Sequence, residues 1–376
     1  MSSEPSWRLD QFSSLEGLPP AYESLWLSAA RSFDQTSIWS RTFAEYLLAA
    51  GETLCVVGVY DSEHDRALGL MPLRSARGFR GVLPLRSVST LANYYTALVE
   101  PVIGADADVD AVSAVLAGAL PKLNGGWNLL DLNPLAPEHP FFRHATRALR
   151  DRACFVQPYF RFGNWYLKLA GRNFSEYFRD MPSRMRSTLT RKKKKLLARD
   201  DVRIEILGGR EGLDAAVDAY EKIYASSWKR DEPHKDFIRA VARRFADAGW
   251  LRLGLVHVGQ VPAAAQLWFV QGGTASIFKL AYDPAFTELS IGSVLTMTLM
   301  EHVIDVDRVG VVDYLCGDDD YKKDWMSHRR ERWGLRASPW LSLVGMTEAA
   351  RTAAGRLAHM ARGRTRREPP VGTAAA

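Results

Sequence analysis

The sequence predicts an α/β fold built as two similar halves, each a mixed sheet flanked by helices. Two observations carry this. Apolar residues alternate between the strand period and the helix period along the chain. The order hairpin, strand, helix, strand also occurs twice, roughly 200 residues apart. The two halves share pattern rather than residue identity. A chain of 376 residues that is 47% apolar and 24% charged can bury a core without staples.

In the first half, DQTSIWSRTFAEYLLAAG reads as a helix near Asp34, with an apolar stripe through Ile38, Phe43 and Leu47 and a closing Gly51. TLCVVGVYD and RALGLMPLRSA flank the polar turn Asp61 to Asp65 and read as a hairpin. SVSTLANYYTALVEPVI continues as strand and loop, ADVDAVSAVLAGALPKL has helical period, and GWNLLDLNPL is a buried strand. A basic helix, Ser183 to Arg199, then feeds the strand Val202 to Leu207. In the second half, DAAVDAYEKIYASSWKR and KDFIRAVARRFADAG are helices. WLRLGLVHVGQVPAAAQLWFVQG is a hairpin, TASIFKLAYDP a strand, SVLTMTLMEHVIDVDR a helix and VGVVDYLCGD a strand. The expected domains are 1–165, 166–345 with the basic helix 183–199, and 346–376 as a C-terminal helix and disordered tail.

The formal charge of +6 favours anionic partners. Cys55, Cys154 and Cys316 lack metal-type spacing, and their odd number argues against a disulfide framework. The eight histidines show no paired-ligand spacing, so no metal is expected. No Walker or dinucleotide fingerprint stands at a strand-helix junction. MSSEPSWRLDQF does not read as a signal peptide and no apolar run is long enough to span a bilayer, so a cytoplasmic location is expected.

The stretch LAYDPAFTELSIGSVLTMTLMEHVIDVDRVGVVDYLCGDDDYKKDW puts a small-residue helix start after a strand and a Tyr-Lys pair after the next strand. The first amides of a helix lack intrahelical partners and carry the positive end of its dipole. Ser290, Gly292 and Ser293 would leave room for an anion there. A plain N-cap is the alternative meaning of the same residues.

These residues resemble a known family. RMRSTLTRKKKKL, GWLRLGLVHVGQVPAAAQLWF, KLAYDPAFTELSIGSVL and DYLCGDDDYKKDW are similar to GNAT-superfamily acyltransferases of the CelD/BcsL group, which is BioF-like and FemAB-related. The resemblance covers Arg184 to Arg332, and more faintly SFDQTSIW and LANYYTALVEPV. It implies a tandem GNAT-like (FemAB-type) fold and an acyl group, expected to be acetyl, moved from acyl-CoA to an amine or hydroxyl, on a polysaccharide or cell-envelope precursor. Leu289, Ser290, Ile291, Gly292 and Ser293 would take the pyrophosphate-loop role. Only Gly292 matches the usual loop, so the donor class stays open between acyl-CoA and aminoacyl-tRNA, which related peptidoglycan-bridge transferases use.

Acyl transfer needs a base, a polarising donor and orientation. Asp313, Asp318, Tyr321 and Lys322 lie at and beyond a strand's C-terminal end, where sites gather in α/β sheets. Asp313 or Asp318 is the candidate base, Tyr321 the acid for a leaving thiolate, and Lys322 the cation near developing charge. Each also reads as ordinary structure: a paired acid, a solvated loop, a core aromatic, a surface lysine. Gln266, Lys279 and Tyr282 would face the same groove, with Trp228 beside it. The resemblance adds Asn93 and Tyr94 as acceptor contacts. Cys316 reads as a buried thiol rather than a nucleophile, with no histidine at a suitable spacing.

Arg184, Arg186, Arg191, Lys192, Lys193, Lys194, Lys195 and Arg199 surround Met185, Leu189 and Leu196. A solvated face explains such a run, and so does an anionic neighbour: the CoA phosphate, a lipid-linked or glycan-precursor acceptor, tRNA, or peripheral contact with a membrane. A non-catalytic binding subunit of a polysaccharide-synthesis complex is the reading from a different class.

Overall fold

The computed structural model describes residues 7–229 and 231–361. The C-terminal tail expected to be disordered lies outside the described residues. The strands are β1 (Trp7–Phe12), β2 (Glu52–Asp61), β3 (Arg66–Arg80), β4 (Leu83–Thr90), β5 (Val102–Ile103), β6 (Leu129–Leu135), β7 (Cys154–Lys168), β8 (Val202–Leu207), β9 (Leu251–Val258), β10 (Val261–Gln271), β11 (Thr274–Tyr282), β12 (Val311–Asp313) and β13 (His328–Pro339). The helices are α1 (Pro20–Ala29), α2 (Ser37–Leu47), α3 (Val109–Ala119), α4 (Pro140–Asp151), α5 (Phe174–Asp180), α6 (Ser183–Leu197), α7 (Leu213–Ser226), α8 (Lys235–Asp247), α9 (Ile291–Asp305), α10 (Lys322–Trp325) and α11 (Leu343–Ala361).

The chain divides into two units. One takes in the described residues up to Phe162 and from Glu331 onward, and the other is Gly163–Arg330. Each unit has its own run of paired strands, and the strand orders match. In the first unit β1-β2-β3-β4 are antiparallel neighbours, β4 pairs parallel to β6, and β13 pairs antiparallel to β6. In the second, β8-β9-β10-β11 are antiparallel, β11 pairs parallel to β12, and β7 pairs antiparallel to β12. A parallel pair needs a crossover, and α3 and α9 supply it. This is a mixed α/β architecture with the same strand order in both units. The last stretch of strand in the first unit comes from elsewhere in the chain: residues from Glu331 onward complete it, although the sequence order had suggested that they close the second half.

The core of the second unit lies between its sheet and α5, α6 and α9. Helix α9 is apolar nearly all round, and Ile291, Val294, Leu295, Leu299, Met300 and Val303 are all buried. It settles on β9 where Gly254 leaves space: a Cβ there would lie 2.9 Å from Leu299 Cδ1 and 3.0 Å from Leu295 Cδ1. On the other side of the sheet, Phe245 of α8 packs edge-on against Phe269 of β10, with ring centroids 4.6 Å apart. The β10–β11 register slips at Phe278, between Leu267↔Lys279 and Trp268↔Ile277. Such a bulge re-aims the side chains beyond it.

Gly254→Val should push α9 off the sheet. An overpacked core site costs about 1–3 kcal/mol, to be read as a lower denaturation midpoint with an unchanged denaturant slope.

Candidate functional site

The end of β11 leads through a 3-10 turn, Pro284–Leu289, to Ser290, which sits in the left-handed region at φ 54°, ψ 34° and opens α9 without a side-chain cap. The Ser290 hydroxyl instead accepts a hydrogen bond from Lys192 Nζ on α6. The next residue, Lys193, pairs at 2.7 Å with Glu301, about three turns further along α9, so α6 is fastened to α9 at two places.

Gln266 of β10 is buried and fully bonded. Its Nε2 donates to Gly292 O at 3.0 Å and to Thr296 Oγ1 at 2.8 Å, and its Oε1 accepts from Trp268 Nε1 at 3.0 Å. The first turn of α9 is thereby pinned to the sheet. Gly292 faces the ring of Tyr282, where a Cβ would come within 3.2 Å of Cδ1. The Tyr282 ring in turn lies 4.6 Å from that of Trp228.

Between these groups is a cavity of about 790 Å³. Its walls are the start of α6 (Arg184, Met185, Thr188), the β10–β11 pair (Gln266, Leu280, Tyr282), the start of α9 (Gly292, Ser293, Thr296), and Trp228, Tyr314, Tyr321, Asp324 and Trp325. Burial, helped by Asp319, pushes the Tyr321 phenol up to about 12, so it keeps its proton at neutral pH. Tyr314, edge-on to Tyr321 at 5.8 Å, is raised well above the ordinary tyrosine value by burial.

The candidate residues read from the sequence fall into separate groups. Gln266, Tyr282, Trp228, Gly292, Ser293 and Tyr321 come together on the cavity wall. Ser290 is bound to Lys192, Leu289 packs on the core and Ile291 is fully buried. Asp313, Asp318 and Lys322 form the frame of the adjoining loop. Asp313 accepts from Asn164 Nδ2 at 2.6 Å, from Leu315 N at 2.7 Å and from Arg330 at 2.5 Å. Asp318 accepts from Trp165 Nε1 at 2.8 Å and from Arg329 Nε at 2.9 Å. The Lys322 ammonium is buried, donating to Cys316 O at 2.5 Å and pairing with Asp319 at 3.1 Å. Lys279 pairs with Glu232 at 2.7 Å. Asn93 and Tyr94 belong to the first unit, in the loop after β4, where Asn93 Oδ1 accepts from Tyr95 N at 2.9 Å and Tyr94 shares a 2.9 Å hydroxyl contact with Tyr95. Cys316 is half-buried.

Sequence reasoning did not single out Asp324, Thr296, Tyr314 or Lys229. Lys229 lies against the Tyr224 and Trp228 rings, at 5.6 and 5.9 Å. Burial, then the charges of Lys279 and Lys322, press its ammonium down from 10.5 to about 8. Only the folded chain brings these three lysines together. Among the described residues no group of histidine, cysteine and acidic side chains is placed to hold a metal ion.

Residues 183–323 match the family model described as Acetyltransferase (GNAT) domain. The solved structure of FemX is similar in fold: 12% identity, 83% of this chain and 94% of that chain covered, TM-score 0.57. A conserved protein of unknown function from Bacteroides thetaiotaomicron is similar too, at 9% identity, with 84% of this chain and 95% of that chain covered and a TM-score of 0.52. No curated protein matches the chain. Residues 183–323 of the second unit are thus similar to the GNAT acetyltransferase domain family, and the fold is shared with FemX.

Two measurements check this description. Asp313→Ala leaves the Arg330 guanidinium and Asn164 short of their acceptor, and should lower stability by about 1–3 kcal/mol in chemical denaturation. Lys229 has its pKa lowered on folding, so the unfolded chain holds that proton when the folded chain has released it. Its contribution to stability must therefore rise with pH from about 8 to 10.5. Lys229→Met should remove that rise from a pH series of melts.

Proposed function

We propose that the second unit transfers an acyl group from acyl-CoA to an amine or hydroxyl acceptor. The observation that carries the reading is the cavity at the start of α9, within the segment that matches the acetyltransferase family. The amides at the first turn of α9 point their unpaired hydrogens toward the end where Gly292 and Ser293 border the cavity. A pyrophosphate is the anion that this end fits, with Arg184 on the same wall as its counter-charge. The cavity, with apolar Met185, Leu280 and Trp325 and polar Gln266 and Thr296, suits a pantetheine arm.

In the proposed reaction the acceptor's nucleophile adds to the thioester carbonyl, and the carbon–sulfur bond then breaks. Tyr321 gives its proton to the departing thiolate, a task suited to a phenol that is still protonated at neutral pH. Asp324, the carboxylate on the cavity wall, receives the proton from the acceptor. In this reading Asp313, Asp318 and Lys322 hold the loop that presents Tyr321, and Lys279 with Glu232 and Lys229 forms a charged cluster behind Trp228. The acceptor class, from the family resemblance, is a sugar or cell-envelope precursor.

One observation favours a second donor. Arg184, Arg191, Lys194 and Lys195 are exposed on α6 and make no ion pair among the described residues. A row of open cations suits a polyanion larger than CoA, and aminoacyl-tRNA is the alternative.

Titration calorimetry of the whole protein with acetyl-CoA should give a dissociation constant in the range of about 1 µM to 1 mM. Gly292→Trp, which fills the cavity beside Tyr282, should abolish the heat. Tyr321→Phe should leave binding in place and lower thiol release roughly 10²–10⁴-fold. Absence of heat with any CoA species would overturn the acyl-CoA reading, and salt-sensitive capture of aminoacyl-tRNA in the same preparation would move the donor to the second one.

A further inference from the structure

The first unit carries an apolar surface that the acyl-transfer reading does not use. Between β13 and the second turn of α11, Trp340, Leu341, Leu343 and Met346 are 48%, 98%, 63% and 57% exposed. Four large apolar side chains within seven positions, all outward, is not the scatter expected of an ordinary surface. They are not loose. The inner side of α11 is docked by buried Val344 and by the buried Glu348 carboxylate, which pairs with Arg80 of β3 and with Arg351 at 2.9 Å. Thr352 Oγ1 adds a 2.6 Å bond to Gln157 of β7. Docking on that side fixes the opposite side outward, so Leu343, Met346, Ala350 and Ala354, spaced i, i+3, i+7 and i+11, form one exposed apolar stripe.

The sequence from this stripe onward is basic. From Leu341 to the C-terminus the sequence holds six arginines and two glutamates, and no lysine or aspartate. One of the two acids, Glu348, is buried among arginines and presents nothing outward. Arg362, Arg364, Arg366 and Arg367 follow directly where α11 ends at Ala361.

We propose that Trp340, Leu341 and the outer face of α11 dock the protein on an anionic lipid surface. Apolar side chains enter the boundary between headgroups and acyl chains, while the arginines meet the lipid charge. A second copy of the chain would bring the same cations to the contact and be repelled, which is why a negatively charged bilayer is the occupant that fits. No helix among the described residues is long and apolar enough to cross a membrane, so the contact is peripheral.

The test is co-sedimentation of the full chain with vesicles of equal parts phosphatidylglycerol and phosphatidylcholine, against vesicles of phosphatidylcholine alone, at low and high salt. Binding is expected on the anionic vesicles and is expected to weaken with salt. The L341E/L343E/M346E variant should bind at least about tenfold more weakly, a factor well outside error for a two-state partition. Leu341→Arg is the second variant. It replaces the most exposed side chain, keeps the positive charge, and should still lose several-fold while its melting curve matches wild type. Brominated lipid should quench the fluorescence of Trp340, with Trp340→Phe as the blank. The proposal is overturned by any of three results: no partition onto anionic vesicles, equal binding by wild type and both variants, or light scattering that shows a dimer which the triple variant converts to monomer without any lipid binding. None of the altered residues lines the acyl-transfer cavity, so acetyl-CoA binding should be the same in all variants whatever the vesicles show.

Discussion

The amide of Gln266 holds the candidate site together. A buried amide must find partners for both of its ends. Here the nitrogen is spent on Gly292 and Thr296 of α9, and the oxygen on Trp268 of its own strand. The helix start can therefore neither rotate nor slide along β10. The cavity beside it, the approach of Tyr282 to Gly292, and the aim of the first amides of α9 all follow from that anchorage. Lys192 and Lys193 extend it by tying α6 to the same helix.

A second constraint is the repeated strand order. Four antiparallel strands, one parallel neighbour reached by a crossover helix, and a final antiparallel strand occur in each unit. In the second unit the crossover helix begins beside a cavity lined by Tyr321 and Asp324. The matching region of the first unit has α3 capped in the ordinary way, with the Asp108 side chain accepting from Asp110 N and Ala111 N. An acid already seated on those amides leaves no vacancy for a phosphate.

Much of this was legible in the letters. The β11–α9–β12 unit announces itself because α9 is apolar nearly all round and the flanking strands are short and apolar. Gly292, Ser293, Tyr282 and Tyr321 were read from where that unit begins and ends, and Gln266 from the hairpin before it. The long strands β7 and β13 were not legible. HRRERWGLRASP carries four arginines in twelve residues and reads as surface, yet each has an acid waiting in the fold: Asp318 for Arg329, Asp313 for Arg330, Glu138 for Arg332 and Asp131 for Arg336. Those partners are distant in sequence, so no local pattern reveals them. Asp313 and Asp318 looked like candidate bases for the same reason, since their arginine partners are out of view until the chain folds.

The placement of β13 affects how the chain is made. Its residues from Trp333 to Ala337 are what covers the open side of β6. During synthesis every other strand of that first sheet leaves the ribosome long before them, after which all of Gly163–Arg330 must still be translated. Through that interval β6 presents bare amides and carbonyls to any passing strand, the condition under which nascent chains pair wrongly or aggregate. A nonsense codon at any position from Glu331 to Trp333 would make the condition permanent, leaving the strands of Gly163–Arg330 complete and β6 without its cover.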